Sequence, residues 1–194
     1  MSAQRPIKPL NVLDDAALMS KIQAGQSDKL GLLFERYHKR LYAFFVRLTR
    51  DSAMSEDLVQ NTFFRVLKYK NSYDVNKRFS TWLYQVARNV FHDQYRKKSS
   101  KETSVDDFKQ NEPIADEKDS FQEPDERMGL LKKALDQLSA DKREILVLSK
   151  YEGLRYKEIG DILECSETAV KVKAHRAMKE LKTIYLKLEK DLAV

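Results

Sequence analysis

Apolar residues recur along this chain at steps of three and four in two stretches, separated by an acidic segment that loses the rhythm. In the first stretch, Leu18 and Ile22 make a short stripe, and Gly25 offers a left-handed stop after it. Leu30, Leu33, Tyr37, Leu41, Phe44, Phe45 and Leu48 then mark one face of a longer helix. Ser55 is the expected N-cap of a third helix, with Glu56 and Asp57 complementing the dipole of its first turn. Leu58, Val59, Phe63, Val66 and Leu67 form the apolar side of that helix. Ser80 or Thr81 is expected to cap a fourth, which runs through Trp82, Leu83, Val86, Val90 and Phe91 to the basic Tyr95-Arg96-Lys97-Lys98.

Periodicity stops after residue 98. The segment SSKETSVDDFKQNEPIADEKDSFQEPDE is rich in acids, holds two prolines and offers too little apolar surface to offset the entropy of ordering. It is expected to be a flexible linker whose acids serve solubility or mimic DNA in a basic channel. Helical spacing returns at Met128, with Leu131, Ala134, Leu135 and Leu138 on one helix, Ser139 able to cap the next, and Ile145, Leu146 and Leu148 striping that one until Gly153. The chain therefore reads as all-α, with two small helical domains (1–98 and 127–194) joined by an acidic linker (99–126). No internal repeat links the two blocks.

Composition fits this picture and narrows the chemistry. Five Gly and four Pro in 194 residues are too few for a hairpin-rich fold. Thirty-six Lys plus Arg against 30 Asp plus Glu leave a net charge of +6, a moderate surplus whose placement matters more than its size. Cys165 is the single cysteine, and His38, His92 and His175 lack ligand spacing, so neither a disulfide nor a metal site is expected, and no cofactor. The opening MSAQRPIKPLNV lacks the apolar core of a signal peptide, and no apolar run approaches the roughly 20 residues that span a bilayer. A cytoplasmic protein without membrane insertion is expected.

Tyr156 to Leu181 carries the most specific pattern. A helix-turn-helix needs a short helix, a tight turn and a second helix free to enter the major groove. Ile159, Ile162 and Leu163 supply the inner face of the first helix, and Gly160 is small where the two helices must approach. Ser166 can cap the second helix, and Val170 can pack back on the first. Glu167, Thr168, Lys171, Lys173, His175, Arg176 and Lys179 then face outward, a strongly basic surface. Glu164 stands in the turn where a glycine is usual; if it holds a positive φ, it costs roughly 1 kcal/mol. The competing reading is a helical hairpin whose charged face is merely solvated.

In the first block, aromatics interleave with bases: Tyr69, Tyr73, Phe79, Trp82, Tyr84, Phe91 and Tyr95 among Lys68, Lys70, Lys77, Arg78, Arg88 and Arg96. That mixture suits single-stranded nucleic acid, where cations neutralise phosphates and rings receive unstacked bases. Trp82, Val86 and Phe91 are expected to serve mainly as core. Asn89, Asp93 and Arg96 share a different face and are the better candidates to meet DNA.

With both blocks considered, residues from about Asp14 to Lys187 resemble the extracytoplasmic-function sigma factors, the minimal bacterial group of the sigma-70 family. DLVQNTFFRVLK looks like region 2.2, FSTWLYQVARNVFHDQYRKK is similar to regions 2.3 and 2.4, and EGLRYKEIGDILECSETAVKVKAHRAMKEL looks like region 4.2. The resemblance implies a non-enzymatic subunit that binds core RNA polymerase at the largest-subunit clamp helices and the flap, directs it to promoter DNA and helps open the duplex. It places Asp57, Gln60, Asn61 and Phe63 on the clamp; the first three also lie at helical spacing on one polar stripe. It sets Asn89 against the melted minus-ten strand, with Lys77, Arg78 and Phe79 in the loop shaping the base pocket. Lys171, Lys173, His175 and Arg176, with Thr168, fall on the minus-thirty-five recognition face, and Tyr156 and Lys157 are expected to meet phosphates. An anti-sigma factor is the expected regulatory partner.

Two rivals remain at this stage. A helix-turn-helix repressor or activator would bind duplex DNA by itself, through a dimer, and sense a ligand in its first block. A metal-dependent nuclease or nucleotidyltransferase would need clustered carboxylates or a Gly-rich phosphate loop. The acids of this chain cluster only in the linker, where nothing holds them in fixed geometry.

Overall fold

The computed structural model describes residues 13–101 and 126–192, which form helices and connecting turns with no strand among them. Most of the expected linker, residues 102–125, lies outside the described residues.

The first helix, α1 (Asp15–Gln23), begins where the Asp14 carboxylate accepts the Ala17 N–H at 2.7 Å, and the chain reverses at Gly25 with φ +100°. A turn of 3-10 helix leads into α2 (Leu30–Thr49), which buries Leu33, Tyr37, Leu41, Phe44, Phe45 and Leu48, as the spacing predicts. The next helix, α3 (Ser52–Lys68), starts one turn earlier than expected. Asp51, not Ser55, is its N-cap, accepting the Met54 N–H at 2.9 Å. Ser55 is wholly buried, its hydroxyl donating to the Asp51 carbonyl at 2.5 Å and lying 2.9 Å from the Thr49 hydroxyl. A serine that finds a carbonyl one turn back is satisfied inside a helix and need not end it.

After a short 3-10 turn, tied to α1 by the Gln23 amide donating to the Lys70 and Tyr73 carbonyls at 2.9 Å, α4 spans Phe79–Lys101. Ser80 and Thr81, the expected caps, thus sit inside its first turn. Phe44 and Tyr84 meet edge to face at 5.2 Å and join α2 to α4 in the core.

The second block opens with α5 (Glu126–Asp136) and α6 (Ala140–Leu146), followed by a wide π-turn at Val147–Tyr151. Gly153, at φ +65°, turns the chain into α7 (Tyr156–Leu163), and the long α8 (Glu167–Leu192) packs on α5, α6 and α7. The two blocks touch: α4 lies against α7, and α2 against α6, so the buried apolar residues form one continuous core.

Candidate polymerase and promoter interfaces

The elements α7 and α8 form a helix-turn-helix, and its geometry depends on two residues. A Cβ placed on Gly160 would lie 2.7 Å from the Cys165 carbonyl oxygen, closer than real contacts allow, so only glycine lets the turn fold back on α7. The Cys165 N–H donates to the Gly160 carbonyl at 3.0 Å and closes that turn. Glu164 adopts φ +54°, ψ +43°, the left-handed conformation that the missing glycine implied. Ser166 caps α8 by accepting the Ala169 N–H at 3.2 Å.

Val170, Ala174, Ala177 and Leu181 turn inward along α8, while Thr168, Lys171, Lys173, His175 and Arg176 are all exposed. Of these five, at about 100° of rotation per residue, Thr168, His175 and Arg176 point furthest from the buried stripe. Lys171 and Lys173 flank the stripe on opposite sides. Lys171 pairs with Glu167 one turn back at 2.8 Å, which holds the Glu167 carboxyl below its usual range. At the start of α7, Lys157 is exposed and Tyr156 half-buried. Glu158 accepts the Arg155 N–H at 2.7 Å and pairs with Arg78 of the first block at 2.9 Å. Burial pushes its carboxyl up, but these two donors prevail and hold it below the usual range.

In the first block, the loop before α4 is built by Asp74, which accepts the Asn76 N–H at 2.9 Å, and by the Tyr73 hydroxyl, which donates to the Lys77 carbonyl at 2.7 Å. Lys77 and Arg78 are exposed on it. Phe79 is not. It is 3% exposed and packs edge-on against Tyr37 and Tyr73, with ring centroids at 5.4 and 5.7 Å. Its ring belongs to the core beneath the loop and is not presented on the surface.

Asn89, Asp93 and Arg96 share one face of α4 at steps of four and three, and Asn89 and Arg96 are exposed. The Asp93 carboxylate is held by Arg65 at 2.7 Å and Arg96 at 2.6 Å. The carboxylate thus bridges two guanidinium groups, one from α3 and one from its own helix. Trp82 is half-buried and stacks at a tilt on Tyr73, while Val86 and Phe91 are core, as expected.

On α3, Asp57, Gln60 and Asn61 form an exposed stripe. Phe63 departs from it: it is 5% exposed and packs against Phe34 at 4.9 Å. The exposed aromatic is its neighbour Phe64, 65% accessible and seven residues from Asp57, hence on the same face. A one-residue step turns a helix by about 100°, so adjacent aromatics cannot share a face. Spacing from Asp57 could have singled out Phe64; residue type alone could not.

Comparison with known proteins agrees with this layout. The family described as Sigma-70 region 2 matches residues 33–101, and the one described as Sigma-70, region 4 matches residues 128–181. The RNA polymerase sigma factor CarQ of Myxococcus xanthus is 34% identical over 178 residues, covering 90% of this chain and 99% of that one. The chain belongs to the sigma-70 family. Within it, the relatives indicate the extracytoplasmic-function group: the ECF sigma factor SigM of Bacillus subtilis is 33% identical over 79% of this chain and 93% of its own length. Among solved structures, the sigma factor RpoE of Bartonella quintana, crystallised with the anti-sigma factor NepR, superposes at a TM-score of 0.67 with 27% identity, covering 79% of this chain and 94% of that one. CnrH, solved in complex with the cytosolic domain of CnrY, shares the fold at a TM-score of 0.66 and 22% identity, covering 88% of this chain and 96% of that one. Members of this family are transcription-initiation factors, not enzymes. No helix among the described residues is long and apolar enough to cross a membrane.

Proposed function

We propose that this sigma factor divides its work between the two blocks as the sequence suggests, with residues 1–98 binding polymerase and melting the minus-ten element and residues 127–194 reading the minus-thirty-five element. The alternative sigma-factor role itself follows from the family: the chain binds core RNA polymerase and directs it to promoters. The observation that carries the division is the pairing of a closed helix-turn-helix, its outer face basic, with a first block whose exposed cations lie over aromatic core.

In this reading Asp57, Gln60, Asn61 and Phe64 form the contact with the clamp helices of the largest subunit. The three polar residues fix orientation, and the exposed ring supplies the apolar anchor such interfaces concentrate on. Lys77, Arg78, Asn89 and Arg96 meet the melted minus-ten strand. On α8, Thr168, His175 and Arg176 reach base edges, while Lys171 and Lys173, on either flank, neutralise the phosphate strands bordering the groove. Tyr156 and Lys157 meet phosphates at the start of α7. The protein acts in the cytoplasm, and the solved complex of RpoE with NepR supports regulation of this chain by an anti-sigma factor as well.

The test is promoter opening. Core polymerase with this protein is expected to bind and melt a cognate promoter fragment, read by permanganate reactivity of unpaired thymines, while the free protein binds the same duplex weakly. Tight, specific duplex binding by the free protein, with no melting by the holoenzyme, would point to a repressor or activator instead.

A further inference from the structure

The loop that carries Lys77 and Arg78 has little burial to hold it. Asp74, Val75, Asn76, Lys77 and Arg78 are all exposed, so apolar packing cannot fix its path. Left free, each of these residues would have to surrender backbone entropy when a ligand arrives. Hydrogen bonds set the path instead. Asp74 folds the loop on itself through the Asn76 N–H, and the Tyr73 hydroxyl grips the Lys77 carbonyl at 2.7 Å. The position of Tyr73 therefore decides where Lys77, and Arg78 after it, leave the surface.

Tyr73 is itself held from α1, a helix 50 positions earlier that carries none of the residues proposed for polymerase or DNA. Gln23, the last residue of α1, is half-buried and spends both N–H bonds of its amide on this turn. One goes to the Lys70 carbonyl and one to the Tyr73 carbonyl, each at 2.9 Å. The reversed amide would set an oxygen against two carbonyls, so its orientation is fixed by its partners. Lys70 completes the tie by donating from Nζ to the Ile22 carbonyl at 2.9 Å, one of the acceptors that the end of α1 leaves open.

The other end of α1 supports the floor of the same loop. The Asp15 carboxylate pairs with Arg36 at 2.7 Å and accepts the Tyr37 hydroxyl. The Tyr37 ring in turn packs edge-on against Phe79, beneath the loop. A short helix with a small apolar face thus reaches the loop at two points through polar side chains.

We propose that α1 is the brace of the minus-ten loop and that Gln23 is its positioning residue: the two amide hydrogen bonds, passed on by Tyr73, set where Lys77 and Arg78 stand before the melted strand arrives. Gln23 itself touches no DNA. It acts by preorganisation, sparing the strand the cost of ordering the loop. The proposal rests on the assignment of Lys77 and Arg78 to that strand.

Holoenzyme binding to a short fluorescein-labelled single strand carrying the minus-ten element of a cognate promoter, followed by anisotropy at several salt concentrations, tests it. Gln23→Met keeps the length of the side chain and removes both donors; it is expected to weaken strand binding about five- to tenfold. The salt slope should stay at the wild-type value, because no phosphate contact is lost. Tyr73→Phe, which keeps the ring and drops the hydroxyl, should match it. The double variant should lose little more than the larger single, since both act through one loop. Affinity for core polymerase and the melting temperature should hold near wild type, which a general loss of structure would not allow. Lys77→Ala with Arg78→Ala should instead lower the slope by about 1.4. Wild-type strand affinity in Gln23→Met and Tyr73→Phe, with the Lys77/Arg78 variant impaired, overturns the brace alone. A lowered salt slope in Gln23→Met, or full additivity in the double variant, overturns it as well. An unimpaired Lys77/Arg78 variant overturns the assignment of the loop and the brace with it. Should Gln23→Met fail to fold, Tyr73→Phe decides by the same criteria.

Discussion

The turn of the helix-turn-helix permits a prediction in which one substitution has opposite consequences at two sites. Replacing an exposed helical glycine by alanine stabilises a protein by about 0.5–1 kcal/mol, because alanine loses less backbone entropy on folding. Gly129 in α5 is such a site: it is exposed, and an added Cβ meets nothing within 4 Å. Gly160 in α7 would gain the same term, but its new Cβ would stand 2.7 Å from the Cys165 carbonyl oxygen. An ordinary contact needs about 3.4 Å or more, so the backbone of the turn must retreat by roughly 0.7 Å, and no side-chain rotation can relieve it. Overpacking of that kind costs about 1–3 kcal/mol. The difference between Gly129→Ala and Gly160→Ala cancels the propensity term and isolates this steric cost. With a urea m-value near 2 kcal/mol/M, the two midpoints should differ by about 0.5–1.5 M, with Gly160→Ala the lower. The assay is urea unfolding followed by ellipticity at 222 nm on the intact protein. Gly160→Ala with a midpoint equal to or above that of Gly129→Ala would refute the close approach and the turn built on it.

Other expectations follow from single positions. Glu164→Gly should stabilise by about 0.5–1 kcal/mol, since relief of the left-handed strain exceeds the entropy glycine loses on folding; a lower melting temperature would contradict the φ of +54°. Gln60→Ala with Asn61→Ala should weaken binding to core polymerase while leaving helix content intact, and Phe64→Ala should do so by about 1–2 kcal/mol, whereas the wild-type dissociation constant in these variants would remove the clamp assignment. Replacing Arg176 should cost about 1–3 kcal/mol and relax preference at one base pair, while Lys171→Ala should weaken all sequences alike and reduce the salt dependence. Promoter-variant binding by holoenzyme at several salt concentrations separates those two outcomes, and no effect from either would sink the groove assignment.

Properties set by near neighbours were legible in the sequence. Helical periodicity, the buried stripe of α2, the Ser166 cap, the small residue at Gly160 and the strained turn at Glu164 each depend on residues within a few positions, and the structure reproduces all of them. Order and spacing of the motifs also sufficed to recognise the family, because they record the chain's linear organisation. Tertiary packing decided the rest. Ser55 has the residue type of a cap, but Asp51 starts the helix and a carbonyl one turn back satisfies the buried hydroxyl. Phe63 and Phe79 carry the chemistry of a binding surface, but the phase of α3 against α2 and the packing of Phe79 on Tyr37 and Tyr73 turn both inward, leaving Phe64 outside. Asp93 reads as a candidate to meet DNA beside Asn89 and Arg96, and spacing gives no sign of Arg65, 28 positions earlier and on another helix, which pairs with it. The contact between the two blocks joins residues as far as 112 positions apart, Arg40 and Glu152 among them, and no local pattern marks either as a partner of the other. A side chain's helix face is decided within one or two turns of chain. Its burial, its counter-charge and its availability to DNA or polymerase depend on which helix the fold brings against it.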